Sequence, residues 1–407
     1  MQTALADFIR DTPEGAEADA ILRKCVHCGF CTATCPTYLL LGDENDSPRG
    51  RIYLMKQALE GHGVTDKTRL HLDRCLTCRA CETTCPSGVQ YGRLLDIGRK
   101  LVEEKAARPL EQRVKRRVLG EVLPRRWLFG PLLKLGRLAK PLLPSKLAEM
   151  VPASAPAAGA WPAPRHPRKV LALAGCVQPA LAPDINAAAA RVLDRIGVSL
   201  IEAPGTGCCG ALRFHLGYQE AGLADMRALI DAWWPQVEAG AEAIVMTASG
   251  CGATVKEYGH LLRHDPRYAA KAARISALTR DICEVIDAEL GRLEPLLRAK
   301  GGRVAFHPPC TLQHGLRLRG ATEKLLERAG FELAPVPDSH LCCGAAGTYS
   351  ILEPALSERL KANKLAALAS GEPEQIATAN IGCLVHLQAG TKIPVKHWIV
   401  ALEERLA

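Results

Sequence analysis

Two short cysteine runs constrain this chain more than any other feature. Residues 25–36 read CVHCGFCTATCP and residues 75–86 read CLTCRACETTCP, so the pattern C-x-x-C-x-x-C-x-x-x-C-P occurs twice. That spacing lets one short loop set three thiolates on three corners of a 4Fe–4S cubane, while the fourth cysteine reaches across to a second cluster. One ligand set is then Cys25, Cys28, Cys31 and Cys85, and the other is Cys75, Cys78, Cys81 and Cys35. Pro36 and Pro86 fix φ after the last ligand and turn the chain away. Gly29, Thr32, Ala33, Thr83 and Thr84 are small enough to keep the wrapping backbone close to sulfur. Zinc also takes C-x-x-C pairs, and disulfide frameworks use many cysteines. Neither accounts for the third cysteine and the CP ending, repeated twice. His27, between two ligands, reads as a loop residue rather than a ligand.

The rest of the composition agrees with a metal-binding role. Seventeen cysteines follow an opening, MQTALADFIRDTPEGAEADA, that is polar and acidic rather than a secretory apolar run. Cysteine usage of this kind points to a reducing compartment and to metal ligation, not disulfides. No stretch of eighteen apolar residues exists, so no transmembrane helix is expected. The expected location is cytoplasmic, with peripheral contact at the inner face of the cell membrane. At 407 residues there is room for two or three domains.

Charge is unevenly placed. Residues 98–150 hold 14 Lys+Arg and 5 Asp+Glu, and the difference equals the whole net charge of +9. In EQRVKRRVLGEVLPRRWLFGPLLKLGRLAKPLLPSKLAEM, leucines, Trp127 and Phe129 alternate with these bases. This suits an amphipathic surface against an anionic membrane or a partner, or a connector whose leucines pack on the preceding domain. Pro124, Pro131 and Pro141 should break it into short pieces.

Taken in order, residues 1–97 read as a helical ferredoxin-type domain. A helix starts around Asp11, Thr12, Pro13 and Glu14, with proline in the first turn. Between the cysteine runs, SPRGRIYLMKQALEG at 47–61 is a helix capped by serine, and TDKTRLHLDRC at 65–75 is a second one opened by Thr65 and Asp66. Arg49 and Arg51 compensate cluster charge or are simply surface arginines. Residues 98–150 form the basic helical connector. Residues 151–168 carry five prolines among small residues and read as a linker.

An internal repeat follows, spanning 169–301 and 302–407. KVLALAGC ends on Cys176 and RVAFHPPC on Cys310; a Cys-Cys-Gly triplet follows at Cys208-Cys209-Gly210 and at Cys342-Cys343-Gly344. The third strand-like run ends at Cys251 in AEAIVMTASGC and at Cys383 in EQIATANIGC. The offsets are 134, 134 and 132 residues, with helical patterns in the gaps. Each copy is therefore a parallel βαβ-type unit. Its cysteines fall at strand ends, where α/β sheets place ligands. Copy one offers Cys176, Cys208, Cys209 and Cys251, and copy two Cys310, Cys342, Cys343 and Cys383. Buried cysteines as small hydrophobes are the plain alternative. Four per copy at matching strand ends favour a third metal or cluster site, or a redox-active thiol group. Cys283, outside the pattern, reads as core, and His307 is either a proton donor or a satisfied histidine.

Two ferredoxin motifs followed by a duplicated Cys-Cys-Gly (CCG) domain resemble the iron–sulfur subunits of glycolate oxidase over essentially the full length. Related subunits belong to anaerobic glycerol-3-phosphate dehydrogenase and heterodisulfide reductase. The opening LADFIRDTPEGAEADAILRKCVHCGFCTATCPTYLLLGDENDSPRGRIYLMKQALEG looks closest to the glycolate oxidase subunit. The resemblance implies a multidomain protein: an α-helical ferredoxin-type domain with two 4Fe–4S clusters, then a duplicated α/β CCG domain. It implies an electron-transfer subunit beside two FAD-carrying flavoprotein subunits, with glycolate oxidised to glyoxylate and electrons leaving to a membrane quinone-type acceptor. Lactate, glycerol-3-phosphate and heterodisulfide chemistry are the alternatives. Heterodisulfide reductase repeats end in C-x-x-C, whereas here the endings are CGAT at 251–254 and CLVH at 383–386, which leaves four-cysteine but not five-cysteine sites.

No catalytic set stands out on the chain itself. There is no G-x-G-x-x-G behind a strand for flavin or nicotinamide, so FAD is expected only on the partners. An autonomous thiol or disulfide reductase would need a redox-active third site. A nucleic-acid-binding role is not expected, because the basic segment is leucine-rich and only Trp127 and Phe129 could stack on bases.

Overall fold

The computed structural model describes residues 1–142, 151, 152, 154–298 and 300–407. These form two compact units: residues 1–117 with 340–360, and residues 118–339 with 361–407.

The first unit is helical, and its helices begin where side chains can satisfy the free N–H groups of a first turn. Thr12 Oγ1 accepts from Gly15 N at 3.0 Å ahead of Pro13–Lys24, and Ser47 Oγ accepts from Gly50 N at 3.0 Å ahead of Pro48–Leu59. Thr65 and Thr68 form a reciprocal capping box on Asp66–Asp73. All three starts lie where the caps in the sequence put them. Pro36 opens a helix, Pro36–Leu41, instead of only turning the chain away; as the first helical residue it gives up an N–H that would be unsatisfied anyway. The core of this unit joins Ile21, Leu22, Met55, Leu59, Leu72, Leu94 and Leu95, with Cys25, Cys75 and Cys81 at its edge.

The second unit holds two four-stranded, wholly parallel sheets. In the first, β1 (Arg168–Ala172), β2 (Val198–Glu202), β3 (Ile244–Met246) and β4 (Thr279–Asp281) take the order β2-β1-β3-β4. In the second, β5 (Arg303–His307), β6 (Glu332–Leu333), β7 (Gln375–Thr378) and β8 (Val395–His397) repeat it as β6-β5-β7-β8. The duplication read from cysteine spacing is thus a duplication of sheet topology. Both copies feed one core, in which Val170, Val198 and Val245 cluster with Val304, Phe306, Ala377 and Trp398. Cys283 is fully buried there, as an ordinary core residue.

One expected boundary shifts, and two other expectations differ from the structure. The limit placed between 97 and 98 falls inside the helix Tyr91–Lys105. The basic connector continues through 142 as the helices Leu110–Val122 and Arg126–Ala139; its remainder, 143–150, lies outside the described residues. Pro131 does not break it but sits within the second of these helices, forgoing a single N–H. The Pro/Ala segment is no free linker either. Trp161 Nε1 donates to Leu200 O at 3.1 Å, and the Arg165 and His166 amides donate to Ser199 Oγ, so it straps the edge strand β2.

Candidate metal centres

In the first unit each cysteine run makes the same loop. Cys25 ends the helix Pro13–Lys24, and the chain then passes through left-handed residues at His27 and Gly29. The second run repeats this at Thr77 and Arg79, two and four residues after Cys75. Left-handed positions let a short loop coil its N–H groups inward, the concavity that suits an anionic group. Three of the four carry a side chain, so the geometry is held against its own backbone preference.

The two loops interlock. One cavity is lined by Cys25, Cys28 and Cys31 from the first run and by Cys85 from the second, with Cys81, Pro48, Arg49, Ile52 and Tyr91 around it. On the other side, Cys81 lies in the field of Cys78, Cys75 and Cys35. Burial pushes the Cys31 thiol up to about 11 and the Cys81 thiol well above its ordinary value. Soft sulfur donors in fours, converging from two loops on enclosed space, fit iron–sulfur clusters; binding would need these protons released.

Arg51 and Asp46 make the second set asymmetric. Arg51 is 1% exposed and Asp46 0%, so this is a buried pair rather than a surface arginine. Its Nε donates to His71 O at 2.6 Å and its Nη2 to Thr37 Oγ1 and Asp46 Oδ1 at 3.1 and 3.2 Å. Nη1 lies 3.9 Å from Cys35 Sγ, while Tyr91 Oη donates to Cys75 Sγ at 3.5 Å. A fixed cation and a phenol therefore face two of the four sulfurs. Arg49 is the more exposed of the two arginines and pairs with Glu44 at 2.5 Å.

The second unit brings the four cysteines of copy one together. Cys176 follows β1, Cys208 and Cys209 follow β2, and Cys251 lies in the first turn of the helix Ser249–Lys256 after β3. Cys208 and Cys251 act on both the Cys176 and the Cys209 thiol, so the four sulfurs lie within electrostatic reach of one another. The Cys176 and Cys209 thiols, with Gly210 N–H at 3.4 Å, hold Cys208 well below the ordinary thiol value, while Cys176 and Cys209 are pushed up. Gly210 takes φ 82, and a Cβ there would stand 2.5 Å from Gly222 O, so only glycine lets the chain turn. Tyr258 Oη donates to Cys209 O at 2.7 Å. Asp225, bonded to Arg213 at 2.7 Å, is raised to about 6 by burial and by the nearby Cys208.

Polar residues invisible as motifs steady this site. Gln178 Nε2 donates to Asn186 Oδ1 and Thr247 Oγ1, and Asn186 Nδ2 to Leu173 O. Repeat two braces the Cys251 loop: His397 Nε2 bonds Thr247 O at 2.8 Å, Asn380 Oδ1 accepts from Gly250 N, and Ala379 O accepts from Ser249 N. Gln178 and Asn186 are eight residues apart, but the other partners lie thirteen or more residues from their mates, beyond the reach of a local signal.

Copy two is a different case. In the first unit, Gly344 N donates to Cys342 Sγ at 3.4 Å, the bond that Gly210 makes to Cys208, and Cys343 is buried beside it. In the second unit, Cys310 precedes the turn Thr311–Gly315, and Cys383 is buried in the helix Ile381–Gln388. A ring nitrogen of His307 lies within 4.8 Å of Cys383 Sγ. His307 is fully buried with both ring nitrogens lacking hydrogen bonds, and burial holds it neutral. It is therefore neither a satisfied core histidine nor a charged proton donor.

Comparison with known proteins matches both halves. The family described as 4Fe-4S dicluster domain covers residues 21–89, and that described as cysteine-rich domain covers 170–256 and 304–388. The chain is 56% identical to the glycolate oxidase iron-sulfur subunit of Escherichia coli (strain K12), over 100% of this chain and 99% of that one. It is 31% identical to a probable glycolate oxidase iron-sulfur subunit of Bacillus subtilis (strain 168), covering 91% and 89% of the two chains. Lactate utilization protein A of Geobacillus kaustophilus (strain HTA426) is 27% identical over 58% of this chain and 99% of its own.

Proposed function

The chain belongs to the glycolate oxidase iron–sulfur subunit family, and from that premise we propose that it passes electrons from a flavoprotein partner, where glycolate becomes glyoxylate, towards a membrane quinone-type acceptor. The observation that carries this reading is the cavity where Cys85 of one run joins Cys25, Cys28 and Cys31 of the other. Cys25, Cys28, Cys31 and Cys85 would hold one 4Fe–4S cluster, and Cys75, Cys78, Cys81 and Cys35 a second. When bound, such clusters supply one-electron relays between a two-electron flavin and the acceptor. The chain's own residues orient the sulfurs, exclude water with Ile52, Val89 and Tyr91, and set the local field with Arg51. Two FAD-carrying subunits of the same complex are the expected donors.

Cys176, Cys208, Cys209 and Cys251 form a further metal or redox-active thiol centre in this reading, with Cys310, Cys342, Cys343 and Cys383 as the repeat's counterpart. The convergence of the four copy-one cysteines favours a metal or redox role over plain packing. Lactate is the second substrate to consider, because lactate utilization proteins are among the relatives.

The test is anaerobic purification with iron and sulfide counted per chain and EPR at stepped potentials. About eight irons and two interacting 4Fe–4S signals support the two-cluster relay; about twelve, with a signal lost on Cys208→Ser, support a third centre. Zinc without sulfide refutes the proposal. Activity of the assembled complex on glycolate against lactate decides the substrate.

A further inference from the structure

The helix Arg126–Ala139 buries none of its residues. Trp127, Leu135, Leu138 and, just beyond its end, Leu142 are 73%, 62%, 80% and 88% exposed, and Pro131 is exposed between them. The steps along 127, 131, 135 and 138 are four, four and three residues, which sets these four side chains on one side of the helix, and exposed Leu142 follows in the turn Lys140–Leu142. Exposed Lys134 lies at the margin of this stripe. Other bases are held to the body of the protein: Arg126 pairs with Glu202, Arg137 donates to Pro152 O, and Lys140 donates to Val151 O.

Charge says what covers such a stripe. From 122 to 142 there are five bases and no acid; Arg125 pairs with Glu121 and Arg126 with Glu202, while Lys134, Arg137 and Lys140 have no carboxylate partner among the described residues and leave the segment with three positive charges. Leucine, which makes up most of this stripe, is under-represented among the residues that carry protein–protein binding energy. An apolar face of Trp, Leu and Pro with Lys134 at its margin, on a segment of net positive charge, matches a helix lying in a bilayer interface, with the indole at headgroup level and the lysine towards lipid phosphate. No helix among the described residues is long and apolar enough to cross a membrane, so a helix lying flat on the surface is the mode available.

We propose that the Trp127–Leu142 stripe is a docking surface for an anionic lipid bilayer. It deepens the proposed delivery of electrons to a membrane acceptor, but lipid binding can be read without any electron transfer.

The experiment is co-sedimentation of the full-length, cluster-loaded chain with vesicles of phosphatidylcholine alone or with phosphatidylglycerol. Binding is expected to the anionic vesicles, weakening with salt, and brominated lipid should quench the wild type more than Trp127→Phe. Leu135→Glu with Leu138→Glu should weaken binding by about tenfold or more, while iron content is unchanged because both residues face solvent. Equal binding by this variant, or no sedimentation of the wild type, overturns the proposal. Capture by a flavoprotein subunit through the stripe, without vesicle binding, overturns it too. None of these results alters the iron and sulfide count on which the relay reading depends.

Discussion

Acidification should loosen the second unit through His397. This ring is fully buried; its Nε2 bonds Thr247 O at 2.8 Å and its Nδ1 accepts the Ile399 amide at 3.2 Å, capping the helix Trp398–Glu403. Nδ1 must stay unprotonated to accept that bond, and desolvation lowers the ring from 6.5 to about 4. The unfolded chain therefore binds the proton more readily than the folded one between those values. The stability this ring contributes is full well above pH 6.5 and is lost as pH falls through 6.5 towards 4. The two values differ by ~2.5, which corresponds to ~3.4 kcal/mol at the acid limit. Between pH 7.5 and 5.5 the loss is ~1.4 kcal/mol, of which ~0.4 kcal/mol has gone by pH 6.5. Asp281 and Asp225, raised to about 7 and about 6, act in the opposite sense, so the informative quantity is a difference between proteins. His397→Asn keeps a capping acceptor without a proton to gain. Urea unfolding, followed by the fully buried Trp233 and Trp398, should show wild type losing ~1.4 kcal/mol more than the variant over this range. Parallel losses would refute the reasoning.

Other perturbations test the ferredoxin-type unit and the repeat. Cys85→Ser should remove the EPR signal of the Cys25 set first, although its sequence neighbours belong to the other set; loss of the other signal alone would reverse the ligand assignment. Arg51→Met takes a cation from beside Cys35 and should move that cluster's midpoint potential negative in a potentiometric EPR titration, with about 3 kcal/mol of lost stability, the low end for a broken buried pair because Asp46 keeps Arg74 and His71. An unchanged potential would make Arg51 purely structural. Leu193→Ala, at a fully buried core position, should cost about 3 kcal/mol in urea unfolding.

Much of this architecture was legible because it is local. Helix caps at Thr12, Ser47 and Thr65 act within three residues, and the cysteine runs act within eleven, so their spacing shows directly in the chain. The repeat was legible because its cysteines mark strand ends at near-constant offsets. Arg51 was not, since its burial comes from Thr37, Asp46 and His71, up to 20 residues away. The strands β2, β4, β6 and β8, two to five residues each, are too short for alternation to announce them. The strap on β2 reads as linker because proline and alanine carry no pattern; its hold comes from Trp161 and two backbone amides.

The shared core of the two sheets also bears on cooperativity. Val170, Val198 and Val245 of one copy and Val304, Phe306, Ala377 and Trp398 of the other belong to one apolar cluster, together with Ile185, Val192 and Leu193 of the helix Asp184–Arg195. Neither sheet can then open without exposing apolar residues of the other copy, so the two repeats are expected to melt as one cooperative unit. The likeness of the copies does not extend to every side chain: at the offset of 134 residues, Leu173 in one corresponds to His307 in the other.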